Sequence, residues 1–149
     1  MTNPEFETAL HRMLQITTLF NRDMEQHAAA DGLTAARVPV VWLVSTNGPQ
    51  TQRQLAEALG VSARNITGLV DILERDGFVT REPHPRDRRA TLVTPTPKGA
   101  AIAERMAREQ AEFTESLFSD WEPDAFKSFA RGLDRIVDRL TDLFEAGDR

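Results

Sequence analysis

Between residues 5 and 29, Phe6, Leu10, Met13, Leu14, Thr17, Phe20 and Met24 recur at steps of three and four, the spacing of one helical face. The tract DGLT at 31–34 offers a glycine stop and a Thr34 cap. A second helix is expected from there to about Thr46, before the break at Asn47-Gly48-Pro49. Pro39 would fall near its fifth position, where the ring removes one backbone bond and crowds the preceding turn, so this helix either kinks or starts late. Thr51-x-x-Gln54 fits a capping box whose helix ends at Gly60, and Ser62 caps a further helix reaching Asp76-Gly77. From Phe78 to Thr94 the pattern changes to Val, Thr, Phe and Leu around a central PHPRDRR, which predicts two strands joined by a long basic loop. Thr96-Pro97 then opens a helix to about Phe118. After a turn at 120–123, a last helix carries Phe126, Phe129, Leu133, Ile136, Leu140 and Leu143 at steps of 3, 4, 3, 4, 3. No internal repeat, low-complexity tract or interdomain linker interrupts the series.

The pattern therefore describes a mainly α (α+β) chain of 149 residues, one domain's length and enough to bury a core without a disulfide or metal staple. Composition narrows the chemistry. The absence of cysteine removes disulfides, cysteine-ligated metal sites and thiol nucleophiles together. The longest apolar run, Val38 to Val44, has seven residues against the roughly 20 that a membrane span needs. Glu5 and Glu7 stand where a secretory signal would be basic, so a cytoplasmic address and no membrane partner are expected.

Residues 52–71, QRQLAEALGVSARNITGLVD, meet the needs of a helix-turn-helix: a small residue where the helices touch (Ala56), a glycine in the turn (Gly60), and an apolar set of Leu55, Leu59, Val61, Ile66 and Leu69 between the helices. On the second helix Ile66, Leu69, Val70 and Leu73 share one face, which turns Ala63, Arg64, Asn65, Thr67, Gly68 and Asp71 outward. Recognition helices read base edges from their N-terminal residues. Arg with guanine and Asn with adenine are pairings of bidentate geometry, so Arg64 and Asn65 lead the candidates. A helix pair with a glycine turn can also be a packing motif and nothing more.

The following hairpin favours the first reading. From Arg81 to Arg89 four arginines oppose Glu82 and Asp87, a local charge of +2 in a chain of formal charge -5. A surface charge cluster is commonly just solvated, but one capping a β-ribbon directly after a helix-turn-helix suits phosphate or minor-groove contact. The candidate DNA-binding set is Arg53, Ser62, Ala63, Arg64, Asn65 and Thr67 on the helices, with Arg86, Asp87, Arg88 and Arg89 on the wing. Asp87 is expected to orient Arg89 by a charge-assisted bond.

Through LAEALGVSARNITGLVDILERDGFV and then REPHPRDRRATLVTPTPKG, the sequence resembles the MarR family of winged-helix transcriptional regulators over nearly its whole length. Asp87-Arg88-Arg89 matches the family's Asp-x-Arg wing pattern, and Thr96-Pro97-Lys98-Gly99 matches the usual start of the next helix. The resemblance implies a winged helix-turn-helix lobe with a two-stranded wing (34–95), flanked by long dimerisation helices (5–29 and 97–145), all within one MarR-type domain. It further implies a homodimer on a palindromic operator, a repressor released by a small aromatic or anionic ligand in a cleft bordered by His11, Phe20 and Trp42. Independently of the resemblance, the apolar stripes of the first and last helices exceed what one small lobe can cover; a partner chain or an intrachain bundle would bury them.

Catalytic chemistry finds little material. No phosphate-binding glycine loop, zinc-protease histidine pair or nucleophile elbow occurs, and no catalytic residue, metal or cofactor is expected. His11 and His27 stand 16 residues apart and point some 160° apart on one helix, so they cannot share a metal within one chain. His84, between two prolines, suits a structural role or a phosphate contact in the wing loop. Trp42 and Trp121 suit core positions or stacking on an aromatic effector. Three classes remain: a DNA-binding regulator, a winged-helix module that binds only protein, and an enzyme. Only the first uses Arg64, Asn65 and three wing arginines together, and the third lacks a convergent acid or base set.

Overall fold

Asn3 opens the first helix of the computed structural model, which describes residues 3–147. The Glu5 N–H donates to Asn3 Oδ1 (2.9 Å), and Pro4 occupies the first turn, where its missing N–H costs nothing. This helix, α1, spans Pro4–Ala30 and buries only Ala28. Gly32 (φ 73°) then turns the chain so that the Leu33 N–H reaches the Ala28 carbonyl (2.8 Å) and Leu33 enters the core.

Of the two outcomes open for the proline-bearing helix, the late start is realised: α2 spans Val38–Thr46 with Pro39 in its first turn. Thr34 is not its cap. The Thr34 carbonyl instead accepts from the Arg37 and Val38 N–H groups (2.9 and 3.2 Å), forming the turn that precedes the helix. Starting late puts the proline where no intrahelical donor is needed, so no kink follows.

A strand that the apolar pattern did not signal comes next, β1 (Gln50–Thr51). Two residues are too few to carry a period of two, yet they pair with the later hairpin and make its sheet three-stranded. Then come α3 (Gln52–Leu59), α4 (Ala63–Arg75), β2 (Val79–Pro83), β3 (Thr91–Pro95), α5 (Pro97–Phe118) and α6 (Pro123–Gly147). The sheet order is β1-β3-β2, antiparallel throughout, with Arg81 opposite Val93 and Gln50 on the other side of Val93. Val40, Val41, Val44, Leu55, Ile66, Val70, Leu73, Phe78, Val79 and Val93 are fully or almost fully buried around this sheet. At roughly 1.5–3 kcal/mol for each large apolar side chain, their burial is the main force holding the lobe together.

Thr96 fixes the start of α5. Its hydroxyl donates to the Gly77 carbonyl (2.6 Å) and accepts from the Gly99 N–H (3.1 Å), tying the helix to the turn before β2. Gly99 is required there, because a Cβ at that position would lie 2.1 Å from the Phe78 carbonyl oxygen. The chain divides into two compact units, residues 1–106 and 107–149, with the boundary inside α5. In the second unit, Phe118, Trp121, Phe126 and Phe129 stack edge-on and tilted at 5.0–6.3 Å between centroids. Trp121 is thereby used in packing the turn between α5 and α6. No helix among the described residues is long and apolar enough to cross a membrane.

Candidate nucleic-acid interface

The helix pair α3–α4 is built by its caps. Thr51 and Gln54 form the reciprocal capping box: the Gln54 N–H donates to Thr51 Oγ1 (3.1 Å) and the Thr51 N–H to Gln54 Oε1 (2.9 Å). Gly60 ends α3 in the left-handed region (φ 63°), which a residue with a side chain adopts at a cost. Ser62 Oγ then accepts the Asn65 N–H (3.1 Å) and starts α4 after the three-residue link 60–62. Ile66, Val70 and Leu73 are buried and Leu69 half-buried, as their shared face requires.

The opposite face carries the candidates. Arg53, Ser62, Ala63, Arg64, Asn65 and Thr67 are all exposed. Their side chains are not equally available. Ser62 is committed to capping, and the Thr67 hydroxyl both donates to the Ala63 carbonyl (2.8 Å) and accepts from Gln52 Nε2 (3.0 Å). Arg53 pairs with Glu57 one turn on (3.2 Å). Among the described residues, none pairs with the side chains of Arg64 or Asn65, which project from the first turn of α4.

The wing tip is a structured loop. His84 Nδ1 accepts the N–H groups of both Arg86 and Asp87 (3.0 and 3.1 Å), and the Asp87 carboxylate accepts the Arg89 N–H (2.9 Å). Two donors aimed at Nδ1 require that nitrogen to be unprotonated, so His84 acts as a turn cap, the structural of its two expected roles. Asp87 holds the main chain of Arg89 and not its guanidinium, which corrects the expected side-chain bond: the Asp87 carboxylate meets the N–H two residues on, as short acidic side chains do in turns. Arg86, Arg88 and Arg89 are exposed, and no described residue pairs with their guanidinium groups.

Arg81 does not belong with them. It is the residue opposite Val93 and two beyond Val79, so strand alternation sends its side chain to the face that both valines bury. There it meets Asp71 (2.6 Å) and Glu74 (3.0 Å) on α4 and Gln52 Oε1 (3.0 Å) on α3. The basic charge at the tip survives this reassignment, since Arg86, Arg88 and Arg89 against Asp87 still give +2 over residues 84–90. The alternation from Val79 was the available signal; counting charge along the chain hid it.

At the base of the wing Asp76 lies beside Arg75 (2.9 Å). The hydrogen bond from Arg75 holds the Asp76 carboxyl below its usual range, with further help from the charges of Arg75, Arg37 and Lys98 and against the opposing effect of partial burial. Lys98 also donates to the Asp76 carbonyl (3.0 Å) and lies over the Phe78 ring at 4.2 Å.

Of the three effector candidates, the two on α1 do not share a face. His11 and Phe20 are exposed on α1, and their separation of nine positions is two and a half turns, which puts them on opposite sides of the helix. Trp42 is half-buried on α2.

Residues 33–91, which include α2–α4, β1, β2 and the wing loop, match the model of the MarR family. The chain is 36% identical over 101 residues to the transcriptional activatory protein BadR of Rhodopseudomonas palustris, a match covering 65% of this chain and 57% of BadR, so it spans less than two thirds of that relative. It is 26% identical over 131 residues to the HTH-type transcriptional repressor YetL of Bacillus subtilis, covering 87% of this chain and 78% of YetL. Among solved structures, Streptococcus pneumoniae FabT in complex with DNA superposes with a TM-score of 0.84 over 93% of this chain and 99% of that one, at 19% identity, a likeness of fold.

Proposed function

The chain belongs to the MarR family, and from that premise we propose that it is a sequence-specific DNA-binding transcriptional regulator, a homodimer acting on a palindromic operator. The observation that carries the reading is the pair Arg64 and Asn65, exposed on the first turn of α4 with no side-chain partner among the described residues, beside a wing tip of net charge +2. Arg64 and Asn65 are assigned to base edges; Arg86, Arg88 and Arg89 to phosphates or the minor groove; Arg53, Ser62, Ala63 and Thr67 to the backbone-facing margin.

Dimerisation is supported by apolar surface that the chain leaves open. On α1, Phe6 is 71% exposed, and Leu10, Leu14 and Leu19 are exposed with it. The last helix, α6, buries no residue and exposes Leu133, Ile136, Leu140 and Leu143 along its stripe. Stripes of this extent are covered by a partner of matching chemistry, and a second copy supplies it. Whether such a dimer represses or activates depends on where the operator lies; we assign repression, the role that YetL's name gives for that relative, and take it to act here by occupation of promoter DNA.

Release by a small aromatic or anionic ligand completes the reading. Phe20 and Trp42 are its candidate contacts within one chain, while His11, on the other side of α1, would meet a ligand only across a dimer. A ligand acts by preferring the dimer geometry in which the recognition helices no longer match successive major grooves.

The test is selection of duplexes from a random-sequence library, followed by sedimentation of the protein with the enriched DNA. An inverted repeat with half-sites about 10 base pairs apart, bound by two chains, is expected. Failure to enrich any sequence would overturn the DNA reading, and a monomer at micromolar concentration would overturn the dimer. Phenolic and other aromatic acids should weaken binding to the enriched duplex; a panel that moves neither affinity nor melting temperature removes the effector.

A further inference from the structure

Arg81 joins three elements that a DNA reader has to hold in register. Its Nε donates to Gln52 Oε1 at the start of α3 (3.0 Å), Nη1 to Glu74 (3.0 Å) and Nη2 to Asp71 (2.6 Å), both on α4. Its main-chain N–H donates to the other Glu74 oxygen (2.9 Å), which covers an outward-facing donor on the edge strand β2. Gln52 extends the network, because its Nε2 donates to Thr67 on the exposed side of α4 (3.0 Å). The Arg81 side chain is only 22% exposed.

We infer that Arg81 is a positioning residue for DNA recognition: its fork to Asp71, Glu74 and Gln52 sets the wing at a fixed angle to the recognition helix. This rests on the DNA-binding reading above. A planar guanidinium with donors in fixed directions can hold three acceptors from two helices at once, which a lysine ammonium on a flexible stem cannot. The two surrounding carboxylates leave the site with no net positive charge to offer a phosphate, so Arg81 acts through geometry and not through contact. Simultaneous docking of the α4 first turn and the wing tip requires that angle. A loosened wing reaches the bound arrangement for only a fraction of the time, and apparent affinity falls by that fraction.

The experiment compares wild type with Arg81→Gln, Arg81→Lys, Asp71→Asn and the double variant Arg81→Gln/Asp71→Asn. The probes are the duplex that the wild-type protein enriches from a random library and a scrambled duplex of equal length. Thermal melts first establish that each variant is folded at the assay temperature; Arg81→Lys, which keeps the charge, serves if Arg81→Gln does not fold. Affinity for the enriched duplex should fall about tenfold in Arg81→Gln, the result of a wing docked one tenth of the time. The slope of log affinity against log salt should stay unchanged, because no phosphate contact is lost. The double variant should lose no more than Arg81→Gln alone, since both break one network. Amide hydrogen exchange over 79–95 in the free protein should quicken in Arg81→Gln.

Wild-type affinity in a folded Arg81→Gln variant would overturn the inference, as would a salt slope lowered by about one unit, the mark of a direct phosphate contact. If the wild-type protein enriches no duplex, the DNA reading fails by itself. Exchange then decides the clamp: faster exchange over 79–95 upholds it, and unchanged exchange overturns it.

Discussion

At Asn65 and Arg88, removing a side chain takes away different things. Asn65 projects from the first turn of α4 with its main chain held by Ser62, so Asn65→Ala removes the proposed base contact without disturbing the helix start. It should cost roughly 1–3 kcal/mol on the operator, relax preference at one symmetric pair of base positions, and leave the salt slope nearly intact. Arg88→Ala should weaken operator and non-operator DNA alike and lower that slope by about one unit. The ratio of operator to non-specific affinity at matched salt separates them; a larger drop for Arg88→Ala would reverse the assignment. Asp76 gives a pH prediction. Its carboxyl is held below the usual range by Arg75, so the pairing stabilises the fold above about pH 4 and fades as pH falls through the lowered value. Urea unfolding of Asp76→Asn should therefore be easier than wild type near about pH 6, with the difference closing as pH falls through the lowered value.

The elements depend on a few contacts between their ends. Thr96 ties α5 to the turn at Gly77, and Gly99 lets that helix pass against the main chain of Phe78. Gly99→Ala would push a Cβ into a carbonyl oxygen held by the sheet. It should cost at least about 2 kcal/mol in denaturant unfolding, although alanine favours helix over glycine. Unchanged stability would mean that α5 shifts freely against β2, and the fixed helix start described above would then be wrong. The same reasoning explains why Thr96-Pro97-Lys98-Gly99 is recognisable as a motif: cap, first-turn proline, cation over Phe78 and close approach are four separate demands of one junction.

For the whole molecule, the prediction concerns the open stripe of α6. Leu133→Glu with Leu140→Glu places charge on a face that buries nothing within the chain, so the isolated fold should be little affected. Under the proposed assembly the pair should convert the dimer to monomer in sedimentation and, with only one recognition helix per particle, reduce operator affinity at least about a hundredfold. A double variant that remains a dimer would remove α6 from the interface. DNA binding by such a monomer at full strength would remove the need for paired half-sites.

What the sequence by itself determined is the order and type of the six helices and the hairpin. Their signals are local: periodicity, Thr51-x-x-Gln54, Gly60, Ser62 and Thr96-Pro97 each act within one or two turns. The exposed position of Arg64 and Asn65 was legible for the same reason, since the face a helical residue occupies follows from its spacing to Ile66 and Val70. Tertiary structure decided what depends on residues far apart in the chain. β1 exists because Gln50 and Thr51 lie beside Val93 and Leu92, a pairing that two residues cannot announce. Pro39 sits harmlessly because the turn at Thr34–Arg37 postpones α2. His84 became a turn cap and Asp87 a main-chain ligand once the loop closed on itself. Arg81, which in sequence is one of four wing arginines, is turned inward by the strand's alternation onto carboxylates seven and ten residues before it. Charge is additive along a sequence, but the partner that neutralises it is chosen by packing.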